Sequence, residues 1–357
     1  MRVLIAAGGT GGHIYPGIAV AQEVIRRDAK SLVRFVGTPR GLESKLVTRA
    51  GFELSFIDIS GLKNVGPAAR ARGLALLPRS FYSARRVIRE VNPDVVVGAG
   101  GYVSGPVLLT AALMKRRTLV MESNALPGWT NRVLARFVDK AAVSFDQALV
   151  YFRGKAVVTG NPVRREFFEI PRKQRNASRF SLLIFGGSQG AHAINEAMLA
   201  ALPSLREWKD VLQIIHQTGT ADLTGVQAGY QAAGWALADV RPYIEDMVKE
   251  FAAADLVICR AGATTTAELI AAGKAAIMIP FPFASDDHQR KNAEALEQAG
   301  AARMILQEAL SGKRLAQEIG ELVRDRERVS RMENASRQLS RGDAAAAVVD
   351  MIEELAR

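Results

Sequence analysis

At 357 residues the chain is too long for one ordinary core and fits two domains. Its composition, 48% hydrophobic and 23% charged, excludes disorder, and a lone cysteine, Cys259, excludes a disulfide framework or a multi-cysteine metal site and points to a reducing compartment. The net charge of +11 is uneven: residues 1–161 carry 23 Lys/Arg against 10 Asp/Glu, whereas residues 162–357 carry 24 against 26.

The first apolar run, residues 3–7, predicts a strand and is too short for the apolar region of a secretory leader. It feeds Gly8-Gly9-Thr10-Gly11-Gly12-His13 and a helix to about residue 27. Strands follow at 33–36 and 52–57. From residue 59 to 89 there is no acid, but seven basic residues are interleaved with Leu74, Leu76, Leu77, Phe81 and Tyr82. That mixture suits an anionic surface (lipid headgroups, nucleic acid or a diphosphate lipid), or else a basic helix face turned to solvent. A helix is expected near residues 80–89 and a strand at 94–97. The uncharged residues 95–114 have the length of a membrane span, yet Gly98, Gly100, Gly101, Gly105 and Pro106 divide them into strand, loop and helix. Strands at 118–122, 140–144 and 157–159 close the first half at Gly160-Asn161-Pro162.

After a polar, basic stretch at 164–179 the pattern restarts. A strand at 182–185 runs into Gly186-Gly187-Ser188-Gln189-Gly190 and a helix. Strands follow at 212–216, 239–241, 256–258 and 275–280. A helical tail begins near residue 315, breaks at Gly342 and resumes at 344–355. Short apolar runs alternating with helical patterns give βαβ units, hence an α/β chain of two doubly wound parallel-sheet domains, with ligands at the carboxyl ends of the strands in a central cleft.

Glycines between a strand and a helix let backbone N–H groups approach an anion, and the helix N-terminus adds a favourable field. In residues 8–13, taking Gly9 and Gly11 as the first two glycines of a dinucleotide fingerprint puts Ile14 third. The second strand ends Val36-Gly37-Thr38, without an acidic ribose ligand, and no Lys-Ser/Thr of a P-loop follows. NAD and ATP therefore lose ground to another phosphate. Gly98-Ala99-Gly100-Gly101 is read as a second loop on the basic half. The two together could grip one diphosphate, although tight turns alone also call for glycine. In the other half, residues 186–190 repeat the device with the Ser188 hydroxyl. At Gly262-Ala263-Thr264-Thr265-Thr266-Ala267-Glu268 the threonines could cap a helix and bind phosphate, and Glu268 could accept both hydroxyls of a ribose; plain capping competes. His13, His192, His216 and His288 show no zinc spacing and there is no Asp-x-Asp pair, so neither a metal site nor a cofactor is expected. His13 sits at the mouth of the expected cleft; His216, at a strand end, suits a structural role as well, and Cys259 reads as a buried small hydrophobe.

Residues 8–13, Gly101-Tyr102-Val103-Ser104-Gly105-Pro106, Glu122-Ser123-Asn124 with Thr130-Asn131-Arg132, and Gly160-Asn161-Pro162-Val163-Arg164 occur in that order. Residues 186–191, Ile244-Glu245-Asp246-Met247, residues 260–268, and Asp287-His288-Gln289 with Asn292-Ala293 follow. The whole chain thereby resembles the MurG family, the peptidoglycan N-acetylglucosaminyltransferases of GT-B architecture. The resemblance implies two Rossmann-like domains. The acceptor and membrane-associating domain is 1–161, with the C-terminal helix 343–357 packed back on it, and the donor domain is 162–342. It implies inverting transfer of N-acetylglucosamine from its UDP derivative to the 4-hydroxyl of the muramyl sugar of lipid I, giving lipid II, without metal or cofactor.

Carried over residue by residue, Ile244 meets the uracil through its backbone, Glu268 clamps the ribose, Ser188 with Thr264 and Thr265 holds the diphosphate, and Ala263, Thr266 and Ala267 are further donor-binding residues. Gln289, with His288, reads the sugar hydroxyls, and Arg164 reaches the phosphates. Thr10, Gly11, Gly12 and Asn124 meet the donor from the opposite wall. Gly9, Gly12, His13, Gly100, Gly101, Tyr102 and Asn131 are assigned to the acceptor diphosphate. His13 and Glu122 are the catalytic candidates, with His13 preferred as base. Some family members have two glutamines where this chain has His288-Gln289, which makes Gln289 the firmer of the two. The implied setting is peripheral, on the anionic cytoplasmic face of the bacterial plasma membrane, with cell-wall and division proteins as partners and no nucleic acid. Two alternatives remain open: a UDP-sugar 2-epimerase of the same architecture, and a non-catalytic binder of anionic lipid or nucleic acid.

Overall fold

The computed structural model describes residues 1–9, 11–39, 41–59, 67–174, 178–187, 189–284, 287–340 and 342–357, with backbone alone for 67–75. The chain divides into two compact units, Met1–Arg164 with Arg341–Arg357, and Arg165–Ser340. Residues 162–164 thus belong to the first unit, three residues beyond the boundary expected from sequence. Asn161 and Val163 are buried there, and Asn161 Oδ1 accepts a hydrogen bond from the Ser123 hydroxyl at 2.8 Å.

Among the described residues the first sheet holds β1 (Arg2–Ala7), β2 (Leu32–Gly37), β3 (Glu53–Phe56), β4 (Val95–Gly100), β5 (Arg117–Glu122), β6 (Lys140–Val143) and β7 (Ala156–Val158). They are all parallel, in the order β3-β2-β1-β4-β5-β6-β7. Between them run α1 (Gly11–Arg27), α2 (Glu43–Arg49), α3 (Pro67–Val91), α4 (Ser104–Leu113) and α5 (Trp129–Leu134). The second sheet holds β8 (Phe180–Phe185), β9 (Leu212–Gln217), β10 (Asp239–Arg241), β11 (Leu256–Cys259), β12 (Ala276–Met278) and β13 (Ala302–Met304), parallel in the order β10-β9-β8-β11-β12-β13. Its helices are α6 (His192–Ala201), α7 (Leu223–Ala232), α8 (Met247–Ala253), α9 (Ala263–Ala272), α10 (His288–Gln298), α11 (Gly312–Arg324) and α12 (Arg326–Leu339); α13 (Ala344–Ala356) ends the chain.

β1 shows why the apolar runs are continuous: a parallel strand is covered on both faces. Val3, Ile5 and Ala7 face a cluster with Ile18 and Val24 of α1 and Val348, Val349 and Ile352 of α13. Leu4 and Ala6 face the other way, toward Ala84 and Ile88 of α3 and Val107 and Leu108 of α4. The last helix is held to α1 by ions as well as by this apolar contact. Arg27 bonds Asp350 at 2.6 Å and donates to Ala346 O at 2.9 Å.

Several elements differ from the sequence reading, and the helix expected near residues 80–89 runs from Pro67 to Val91. β4 continues to Gly100, so Gly98 and Ala99 lie inside the sheet, and a Cβ on Gly98 would overlap Leu108 of α4. The long helical tail is interrupted at Asp325, whose carboxylate accepts from Arg328 N–H at 2.8 Å and caps α12. Strand β13 went unread because it has three residues with Arg303 at its centre. That arginine is neutralised by Glu318 and Glu321 of α11. Among the described residues no helix is long and apolar enough to cross a membrane.

Candidate active site

In an open parallel sheet, ligands bind where the strand order reverses, because the loops there leave in opposite directions and open a crevice. In the first unit that point lies between β1 and β4, where residues 8–9 and 101–103 emerge. Gly9, Gly100 and Gly101 have φ of +95°, +114° and +78°, a region that disfavours side chains. The loops touch through their backbones: a Cβ on Gly101 would overlap Gly8 O, and one on Gly100 would overlap the His13 ring. Tyr102 lies alongside Gly9. Ser104, fully buried at the start of α4, ties the pair together. Its hydroxyl accepts from Gly100 N–H at 3.0 Å and lies within hydrogen-bond reach of Ala6 O (3.0 Å) and Gly100 O (2.9 Å). α1 and α4 start here with no acidic residue in the first turn, so neither helix offsets the positive field of its own N-terminus. Gly11, Gly12 and His13 form the first turn of α1. Thr10 lies outside the described residues.

Glu122, at the end of β5, is placed differently from its expected role. It is buried, and each carboxylate oxygen takes two donors. Oε1 accepts from Asn124 N–H (2.9 Å) and Asn124 Nδ2 (3.0 Å), and Oε2 from Gly128 N–H (3.0 Å) and Asn131 Nδ2 (2.9 Å). Burial pushes its pKa up while these four donors pull it back. A carboxylate with both oxygens so occupied anchors the loop to α5 and is not poised to take a proton from a substrate. Asn131, expected at an acceptor diphosphate, is likewise turned inward, donating also to Met121 O at 3.0 Å. Asn124 is half-buried at the rim of that loop.

In the second unit the order reverses between β8 and β11. The glycine loop after β8 turns on Gly187 (φ +100°) and Gly190 (φ +78°), with Gly190 N–H bonded to Gly187 O at 2.9 Å, and leads into α6. Ser188 lies outside the described residues. Across the reversal, α9 begins after Gly262, which brings no side-chain cap. The Thr264 hydroxyl is buried with no hydrogen-bond partner among the described residues. Ala263, Thr264, Thr265 and Glu268 lie on the half-exposed face. Thr266 and Ala267 instead turn inward, and Thr266 Oγ1 donates to Gly262 O at 3.0 Å, so neither is available to a ligand. Helical periodicity decides this, since residues three to four apart share a face.

Beyond β12, α10 presents half-buried His288 and Gln289. Gln289 Oε1 accepts from Phe281 N–H at 3.0 Å, leaving its Nε2 to donate. Ile244 is buried and its N–H is given to Gln217 Oε1 at 2.8 Å, so its carbonyl is the backbone group left for a ligand. Arg164 is exposed at the end of the first unit.

Several residues that hold these loops were not singled out by sequence. Gln217 also donates to Gly187 O at 2.7 Å. Arg260 donates to Ile279 O and Pro280 O at 3.1 and 3.2 Å and stacks on Phe281. Asn292 Nδ2 reaches Ala261 O at 3.1 Å. Arg260 and Asn292 stood in recognised motifs; Gln217 is a single polar residue at a strand end, with no local pattern to mark it. His216 proves structural. Fully buried, it meets Tyr230 Oη (3.1 Å) and Asn195 Oδ1 (3.0 Å), and burial lowers its pKa to about 4. Cys259 is fully buried and its thiol is pushed up by burial. Among the described residues no group of three or more His, Cys, Asp or Glu is placed to hold a metal ion.

Residues 3–143 match the glycosyltransferase family 28 N-terminal domain, and residues 181–353 its C-terminal domain. The chain is 47% identical over 352 residues to the UDP-N-acetylglucosamine--N-acetylmuramyl-(pentapeptide) pyrophosphoryl-undecaprenol N-acetylglucosamine transferase of Syntrophus aciditrophicus, covering 98% of this chain and 97% of that protein. It superposes on the crystal structure of Acinetobacter baumannii MurG with a TM-score of 0.81 at 33% identity, covering 99% of both chains. The UDP-N-acetylglucosamine 2-epimerase of Neisseria meningitidis shares the fold alone, at 14% identity, a TM-score of 0.72 and 99% and 100% coverage. With both domain models matched in order and a close relative matched end to end, the chain has the GT-B fold and belongs to glycosyltransferase family 28.

Proposed function

We propose that the chain transfers N-acetylglucosamine from UDP-N-acetylglucosamine to the 4-hydroxyl of the muramyl sugar of lipid I, forming lipid II with inversion at the anomeric carbon. The observation that carries this reading is the start of α9. An uncapped helix N-terminus, a buried Thr264 hydroxyl with no partner among the described residues, and Glu268 just over a turn further on face the same sheet reversal as the glycine loop after β8. This matches a nucleoside diphosphate: phosphates at the helix end, ribose at the carboxylate, base at Ile244. Identity of 47% to the Syntrophus enzyme supplies the sugar and the acceptor.

In the reaction the acceptor oxygen bonds to the anomeric carbon as the bond to the β-phosphate oxygen breaks. The hydroxyl proton goes to a base, and the charge left on UDP is stabilised by the first turn of α9 and by Arg164. We assign the base to His13, on the unit whose loops would receive the acceptor diphosphate. If His13→Ala and His13→Asn both turn over within a few-fold of wild type, that assignment is wrong.

The basic first unit would dock peripherally on anionic lipid at the cytoplasmic face of the plasma membrane, where it could meet cell-wall and division proteins. α3 exposes Arg79, Tyr82, Arg85, Arg86 and Arg89 while burying Ala84, Val87 and Ile88. Beyond neighbouring α4, α5 and the turn after it expose Trp129, Val133 and Phe137 beside Arg132 and Arg136. Part of the basic stretch, residues 60–66, lies outside the described residues. Replacing Arg85, Arg86 and Arg89 by glutamate should weaken sedimentation with anionic liposomes; unchanged sedimentation refutes this docking.

Radiolabelled UDP-N-acetylglucosamine with a short-chain lipid I analogue tests the activity itself. Label in the lipid product supports transfer. Donor isomerised without acceptor would mean an epimerase, and neither product a binding protein.

A further inference from the structure

We propose that Gln217 is a positioning residue whose side-chain amide sets the spacing between the turn that receives the donor's phosphates and the segment that receives its base. The proposal rests on the donor assignment made above. Strand β9 lies between β8 and β10, and its last residue, Gln217, pairs with Phe185 and Arg241, the last residues of those neighbours. The glycine loop after β8 and the segment leading from β10 to Ile244 therefore leave the sheet on either side of it. From that place Gln217 Nε2 donates to Gly187 O at 2.7 Å, and Gln217 Oε1 accepts from Ile244 N–H at 2.8 Å.

The side chain is 1% exposed, so water does not compete for either bond. An amide suits the place because it carries a donor at one end and an acceptor at the other. A carboxylate offers two acceptors and a thioether no donor. The backbone beyond Gln217 continues the bridge. Thr218 N–H bonds Arg241 O at 3.0 Å and Gly219 N–H bonds Pro242 O at 3.1 Å. On the other side, a Cβ on Gly190 would overlap Thr218 O and one on Gly219 would overlap Gln189 O. The exit of β9 is thus wedged against both donor segments. A ligand that spans them gains from both only if their separation matches its own length.

The test compares wild type with Gln217→Met, which keeps the volume and removes both bonds, and Gln217→Glu, which keeps the acceptor for Ile244 N–H and sets an oxygen against Gly187 O. UDP affinity is measured by titration calorimetry, and both KM values and kcat with UDP-N-acetylglucosamine and a short-chain lipid I analogue. For both variants we expect the UDP Kd and donor KM to rise at least tenfold, kcat to fall less than threefold and the acceptor KM to move less than twofold. A folded variant that binds UDP within twofold of wild type overturns the proposal, as does a parallel loss in kcat and both KM values. If Gln217→Met does not fold, Gln217→Glu decides alone. Wild type failing to bind UDP would instead sink the donor assignment, leaving the two failures distinguishable.

Discussion

Replacing Glu122 by glutamine separates a proton acceptor from a loop anchor, because the amide keeps the shape of the carboxylate and loses its second acceptor. Both oxygens now take two N–H donors. In the variant an NH2 group must face one of those pairs, so two buried donors lose their acceptor at about 1–3 kcal/mol each. A neutral amide escapes the burial that pushes the carboxyl's pKa up, which offsets part of the loss. The net expectation is roughly 2–4 kcal/mol of destabilisation. For a domain of this size that lowers the melting midpoint by about 4–16 °C, at about 2–4 °C per kcal/mol. Differential scanning calorimetry reads the midpoint, and turnover is measured well below it. The anchor account expects Glu122→Gln to melt early and to raise the acceptor KM while UDP affinity holds. A variant that melts within a degree of wild type yet loses more than about 100-fold in kcat, the scale of a missing general base, would refute it.

His216 is held neutral by burial, with its pKa lowered to about 4 from 6.5. Between those values the unfolded chain binds a proton that the folded one refuses, so the stability of the second unit is complete above pH 6.5 and falls by about 3 kcal/mol toward pH 4. Urea midpoints taken across that window should fall less steeply for His216→Gln; an identical slope would show that the proton uptake lies elsewhere. Gly101→Ala places a Cβ against Gly8 O at a φ of +78°, which costs about 1–2 kcal/mol in conformation alone. Prising the two loops apart should raise the acceptor KM with UDP affinity unchanged, and steady-state kinetics showing a normal acceptor KM would contradict the placement of the acceptor there.

Much of the architecture was readable from short-range pattern. Residues 3–27 and 182–201 each declare strand, glycine turn and helix in one continuous stretch, because strand burial, glycine freedom and helix periodicity are local. The inward turn of Thr266 and Ala267 follows from the same periodicity. The three-residue strand β13 escaped because Arg303 interrupts its apolar pattern and is made tolerable only by Glu318 and Glu321, fifteen and eighteen residues away.

The candidate site divides in the same way. Sequence by itself marked the strand-to-helix turns that carry glycines and helix starts without acid, since these are properties of a few adjacent residues. It also assigned Glu122 to chemistry from the company its motif keeps. Tertiary structure decided what each polar side chain is free to do. It surrounded Glu122 with four N–H groups, turned Asn131 inward and set Gln217 between two loops that lie 27 to 30 residues from it. The physical reason is that a hydrogen bond is satisfied by whatever the strand order brings alongside. Parallel strands joined by helical crossovers bring together the ends of segments far apart in sequence.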